Sequence, residues 1–200
     1  MEGTRRPAVI PVESYSTVPY LHGTLLEDFM TAIVKRIAKW ICLGLCGAFL
    51  VAQFIRPTWN ISGEPPTANI THSFPVPIEV ETLLRRSCYD CHSNNTRYPW
   101  YSQIQPVGWW LQSHIDDAKR QVNFDEFASY RPMRQYKKLQ EMAEQVDEDL
   151  MPLPSYLFVH RDARLSEEEK TVLTSWTGEM RDSMRVWFPP DSLQRPQRQQ

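Results

Sequence analysis

Two cysteines and a histidine fall within five residues, Cys88-Tyr89-Asp90-Cys91-His92, and they restrict the fold more than any other stretch of the chain. C-x-x-C-H is the spacing at which a c-type haem is attached. Two thiols add to the two vinyl groups of the porphyrin, and the adjacent imidazole is placed under the iron as its proximal ligand. A chain loaded in this way organises its core around a porphyrin. Competing readings of the same residues are weaker. A zinc site needs a second Cys/His pair at ligand spacing, and a thioredoxin-like redox pair needs a βαβ setting. A plain disulfide between Cys88 and Cys91 stays open.

The other two of the four cysteines, Cys42 and Cys46, lie in WICLGLCGAFLVAQFI, which runs from Trp40 to Ile55 without a charge. With Ile37 and Ala38, and with Lys39 snorkelling, residues 37–55 approach the roughly 20 apolar residues of a membrane span. Lys35, Arg36 and Lys39 precede the run and Arg56 alone follows closely. The positive-inside rule then leaves residues 1–36 in the cytoplasm and exports everything after Pro57. Neither cysteine follows a small residue and no A-x-A-like triplet closes the run, so an uncleaved single-pass anchor in a bacterial cytoplasmic membrane is expected. Attachment of c-type haem takes place on the exported, periplasmic side, in agreement with that orientation. Met30 opens MTAIVKRIAKW, a good start to such a segment, and with translation from Met30 residues 1–29 are not part of the protein.

Beyond the anchor, residues 56–75 are rich in proline with little periodicity and read as a linker. Residues 76–188 read as the domain, and residues 189–200 have the composition of a disordered tail. The apolar spacing within the domain is helical. Pro77 stands at a helix start, followed by Val80, Leu83, Leu84 and Cys88. Val107, Trp110, Leu111, His114, Ile115, Ala118 and Val122 mark a second helix, and Tyr136, Leu139, Ala143, Val146 and Leu150 a third that Pro152 and Pro154 stop. Ser166 and Glu169 form a capping box for a fourth, with Val172, Leu173, Trp176 and Met180 on one side. No stretch alternates with period two for long enough to argue a sheet, so the fold class is all-α. Seven glycines among 200 residues leave little room for a phosphate-binding loop, and a net charge of −2 provides no basic stripe for nucleic acid.

A haem iron held by His92 has a second axial position to fill. Met151, in Leu150-Met151-Pro152-Leu153-Pro154, sits on a proline-stiffened segment after the third helix and is the first choice; a His/Met pair raises the reduction potential. His114, on the apolar stripe of the second helix, is the alternative. His160 lies in a polar loop, His72 in the linker and His22 before the anchor. Trp100 and Trp110 suit the wall of a flat ring, and Arg97 suits a propionate. The acidic residues Glu141, Glu144, Asp147, Glu148 and Asp149 read as a solvated helix face, with docking of a basic redox partner as the lesser alternative.

These pieces together, QFIRP after the anchor, SCYDCHSNNTRYPWYSQIQPVGWWLQSHI, then EDLMPLPSYLFVHRDARLSEEEK, resemble the bacterial single-haem "haem-binding domain" proteins, membrane-anchored relatives of c-type cytochromes. The resemblance runs from about Arg56 to Met180. It implies one covalent haem c at Cys88 and Cys91, proximal His92, distal Met151, and a cytochrome c-like fold in which the helix before the motif packs on the C-terminal one. Two functions are expected from the whole. One is a membrane-tethered one-electron carrier, not an enzyme, exchanging electrons with other membrane-bound or periplasmic redox proteins. The other is a haem-based sensor or small-ligand-binding protein with an open or labile sixth position.

Overall fold

The computed structural model describes residues 21–194, with side chains from Glu27 onward. The chain divides into two compact units, one ending at Val51 and the other beginning at Ala52. Residues 1–20, where most of the untranslated-segment expectation falls, lie outside the described residues, as does the side chain of His22.

The first unit contributes helix α1, Leu21–Ala52. Ile33, Ile37, Trp40, Ile41 and Leu45 along it are all exposed. The expected membrane-spanning helix over 37–55 is corrected here: no helix among the described residues is long and apolar enough to cross a membrane. The reason is local. The helix stops at Ala52, where a turn from the Ile55 amide to the Ala52 carbonyl begins. Extending the uncharged part Trp40–Ala52 backwards to the roughly 20 residues required takes in Lys39, Arg36 and Lys35.

The second unit is all-α. Its helices are α2 (Ile78–Ser87), α3 (Tyr89–His92), α4 (Val107–Gln121), α5 (Pro132–Asp147), α6 (Pro154–Leu157) and α7 (Glu167–Trp187). Among the described residues the only extended pairing is an isolated bridge between Ile61 and Asn95. Val80, Leu83 and Leu84 of α2, Leu139 and Val146 of α5, and Leu173, Trp176, Met180 and Met184 of α7 form one buried cluster. Each such side chain taken fully out of water contributes about 1.5–3 kcal/mol. α7 is the backbone of this arrangement, packing on both α5 and α2. Its first turn carries the expected capping box: the Glu169 amide donates to Ser166 Oγ at 3.2 Å and the Ser166 amide to Glu169 Oε2 at 2.9 Å. The same Glu169 accepts from Arg86 of α2 at 2.8 Å, so α2 meets α7 through a charge pair as well as apolar contact.

Helix α4 departs from its expected stripe. Ile115 is buried, but so are Gly108 and Gln112, whereas Val107 and Trp110 are exposed. Gly108 explains the rotation. A Cβ there would stand 2.3 Å from the Ser102 carbonyl oxygen, so α4 presents bare backbone to the Trp100–Gln103 turn and swings its tryptophans outward.

Two stretches read as unstructured are part of the fold. Within residues 56–75, the Ser62 amide donates to the Asn94 carbonyl at 2.9 Å, Thr96 to Asn60 at 2.9 Å, and Ile70 to Phe124 at 2.8 Å. Ile70 and Phe74 are buried in the core. The prolines punctuate this segment without freeing it, because its few apolar side chains find places between α2, α7 and the 123–130 loop. Of the tail expected to be disordered over 189–200, residues 190–193 form a short 3₁₀ turn, Pro190–Leu193, with Leu193 packed against the core, and residues 195–200 lie outside the described residues.

Candidate functional site

Helix α2 ends at Cys88, whose backbone lies outside the helical region, and α3 begins at once. The amides of Cys91 and His92 both donate to the Cys88 carbonyl, at 3.1 and 3.0 Å. This single turn places the backbone of the two cysteines and of His92 through bonds within the same five residues. His92 is then oriented from outside: its Nδ1 lies 3.0 Å from the Val122 carbonyl, which fixes the tautomer and leaves Nε2 as the nitrogen available to a metal. Burial lowers the His92 pKa, so the ring is neutral near pH 7 with that lone pair free.

Cys88 and Cys91 are free thiols, raised by burial to about 12 and about 11 respectively. Among the described residues no group of three or more His, Cys, Asp or Glu side chains could hold a metal ion by itself.

Cys88, Cys91 and His92 open onto a cavity of about 470 Å³, within the range of cofactor pockets, about 300–1,000 Å³. Its walls are largely apolar, with Val122 and Phe124 after α4, Met142 and Val146 of α5, and Leu153 and Leu165. Met151 and His114 line the same cavity, 59 and 22 residues downstream of His92 in the sequence. A covalent haem fits this set: two half-buried thiols, a neutral imidazole, a soft thioether and aliphatic walls.

Met151 arrives by a built turn. Asp149 has φ 57°, the left-handed region that ends a helix. The Leu150 and Met151 amides both return to the Gln145 carbonyl at 3.0 Å. The Asp149 carboxylate, in turn, pairs with the buried Lys170 of α7. His114 is held differently, its Nδ1 2.9 Å from the Trp110 carbonyl one turn back and its ring against the Trp110 indole.

The remaining candidates lie elsewhere. Trp100 and Trp110 do not line the cavity and are exposed, a correction: Trp110 is swung outward by the packing at Gly108, and Trp100 sits at the start of the Trp100–Gln103 turn. Arg97 does not reach the cavity either. Asp90, buried inside the Cys-x-x-Cys turn, takes its guanidinium with Nε at 3.0 Å and a second nitrogen at 3.2 Å. The same carboxylate accepts the Tyr156 hydroxyl at 2.8 Å. Burial foremost, then that hydrogen bond, pushes the Tyr156 pKa up. His160 is paired with the Tyr101 hydroxyl at 2.9 Å, and His72 is exposed. Of the acidic set, Glu141 lines the cavity and pairs with Lys137 and Lys138, while Glu144, Asp147, Glu148 and Asp149 are exposed.

Lys138 and Tyr156 line the cavity but carry no linear signal. Lys138 follows another lysine on what reads as a solvated face, and Tyr156 belongs to a short helix inside a proline-rich segment.

A family model described as a haem-binding domain matches residues 47–179. The comparisons with curated proteins and with solved structures return no match.

Proposed function

We propose, from the premise that the chain belongs to the haem-binding domain family and is a haem protein, that it carries one c-type haem on Cys88 and Cys91 and serves as a one-electron carrier. His92 is the proximal ligand and Met151 the distal one. The observation that supports this most is the meeting of Cys88, Cys91, His92 and Met151 at one apolar cavity. Bound haem supplies a one-electron couple at its iron.

The chain's own residues do the rest. The Val122 carbonyl holds the His92 ring by Nδ1 and leaves Nε2 as the nitrogen that would bind the iron of a bound haem. The left-handed turn at Asp149 delivers the Met151 thioether, which favours the reduced state. Apolar walls from α5 and the segment after α4 keep water away and limit the charge rearrangement that each electron brings.

We read the protein as attached to the bacterial cytoplasmic membrane with the haem domain on the exported side, where it meets membrane-bound or periplasmic redox proteins. The exposed apolar side chains of α1 beside the basic residues Lys35, Arg36 and Lys39 support attachment at a membrane surface, and the C-x-x-C-H attachment chemistry supports the exported side.

An absorption spectrum of the reduced protein, with and without carbon monoxide, tests the assignment. A low-spin spectrum unchanged by carbon monoxide, with haem retained after denaturation, is the expected result. A large carbon monoxide shift would replace the carrier by a ligand-binding sensor. Haem lost on denaturation would remove the covalent attachment.

A further inference from the structure

The two tryptophans that fail as haem walls belong to an exposed apolar face whose position suggests another use. From Trp100 to Trp110 the sequence WYSQIQPVGWW contains no charged residue. Trp100 is 76 % exposed and Trp110 50 %, and Ile104, Val107 and Trp109 are exposed with them. A soluble surface rarely leaves so many large apolar groups together without a partner.

The start of the same unit is fastened to this loop. Gln53 donates through Nε2 to the Gln105 carbonyl at 3.1 Å, and its Oε1 accepts from the Gln105 amide at 2.9 Å. Arg56 donates to the Gln103 carbonyl at 2.8 Å, and Trp109 Nε1 to the Ile55 carbonyl at 2.8 Å. Phe54 and Ile55, within this fastened segment, are exposed as well. Residues 53–55, which close the uncharged sequence run from Trp40, are therefore held against a tryptophan-rich uncharged loop of the same unit.

We propose that the face formed by Phe54, Ile55, Trp100, Val107, Trp109 and Trp110 rests on the lipid bilayer, so that the haem domain lies on the membrane surface in one fixed orientation. Tryptophan is the side chain that favours the boundary between headgroups and hydrocarbon, its apolar ring buried and its N–H satisfied. A lipid surface is favoured over a protein partner because Phe54 and Ile55 are the end of the uncharged sequence run from Trp40 and the tryptophan loop lacks the charges that would specify a redox partner. This proposal rests on the membrane attachment read above.

Hydroxyl-radical footprinting of the full-length holoprotein in nanodiscs of phosphatidylethanolamine and phosphatidylglycerol tests it, with oxidation read at each tryptophan. Trp187 on α7 is the internal control, with 52 % exposure. Trp40 on α1, 65 % exposed in the protein alone, reports attachment. The expected result is that Trp40, Trp100 and Trp110 are oxidised several-fold more slowly than Trp187. If Trp40 is protected while Trp100 and Trp110 react as fast as Trp187, attachment stands and the proposed face is overturned. If Trp40 is not protected, the attachment reading falls and takes the proposal with it. Protection of Trp100 and Trp110 only after another membrane protein is added would assign the face to that protein and overturn the lipid assignment.

Discussion

Two segments meet at the cavity, and they are held there by different means. The Cys88–His92 turn is local: its geometry comes from amides bonding to the Cys88 carbonyl within the same five residues, and one contact, Val122, orients the imidazole. The Met151 segment depends on distant parts of the chain. It needs a non-glycine residue in the left-handed region, an ion pair from Asp149 to α7, and the Tyr156 hydroxyl on Asp90 of the motif itself. The difference teaches that the proximal side of such a site tolerates change around it, whereas the distal side is only as firm as the contacts that bring it in.

Changes on the local side have the largest expected effect. Replacing Cys88 and Cys91 together by serine should abolish haem retention after denaturation, as read by haem stain on a denaturing gel. A Met151→Ala variant should keep its haem but open the sixth position, giving a spectrum that shifts with carbon monoxide. If that spectrum is the same as the parent's, the distal ligand is His114, and His114→Ala should then produce the shift. Tyr156→Phe sharpens the comparison further, because it removes a hydrogen bond to a buried carboxylate worth about 1.5–3 kcal/mol without altering any ligand. A carbon monoxide-sensitive fraction should appear there while haem attachment is complete. An unaltered spectrum would mean that the Asp149–Lys170 contact alone secures Met151.

The smallest effect belongs to the scaffold behind both sides. Ser166→Ala should cost about 1 kcal/mol and lower Tm by about 2–4 °C, with the spectrum unchanged. Glu169 adds a pH dependence. Arg86 and the Ser166 amide hold its carboxyl below the usual range. Its contribution is therefore full above the unfolded carboxylate pKa of about 4.3 and is lost as pH falls through the lower folded value. The Tm difference between the parent and Glu169→Gln should accordingly shrink on acidification and vanish in strong acid. A difference that grew instead would reverse the assignment.

Much of the helical framework was legible because it is made of short-range signals. The capping box at Ser166, the α2 positions Val80, Leu83 and Leu84, and the α7 positions Leu173, Trp176 and Met180 are all read from spacings of three and four. The same rule misled only at the start of α4, where Val107 and Trp110 are exposed and Gly108 meets the Trp100–Gln103 turn, whereas Ile115 is buried and His114, Ala118 and Val122 of the same stripe line the cavity. Prolines misled in the 56–75 segment, since they fix backbone angles but say nothing of whether Ile70 and Phe74 find a core. Arg97 was read as reaching for a distant anion, whereas a buried carboxylate seven residues earlier in the sequence was the nearer and stronger partner.

By itself the sequence determined the all-helical class, the paired thiols beside an imidazole, and the thioether on a stiffened segment downstream, because each is encoded by neighbours along the chain. Only the tertiary structure decided that Met151 and His114 share a cavity with the motif, that Asp90 gathers Arg97 and Tyr156, and that Trp100 and Trp110 face outward. Those outcomes depend on which segments, far apart in sequence, compete for the same buried space. Periodicity shows that a side chain is apolar and on a given stripe; what covers that stripe is settled by packing.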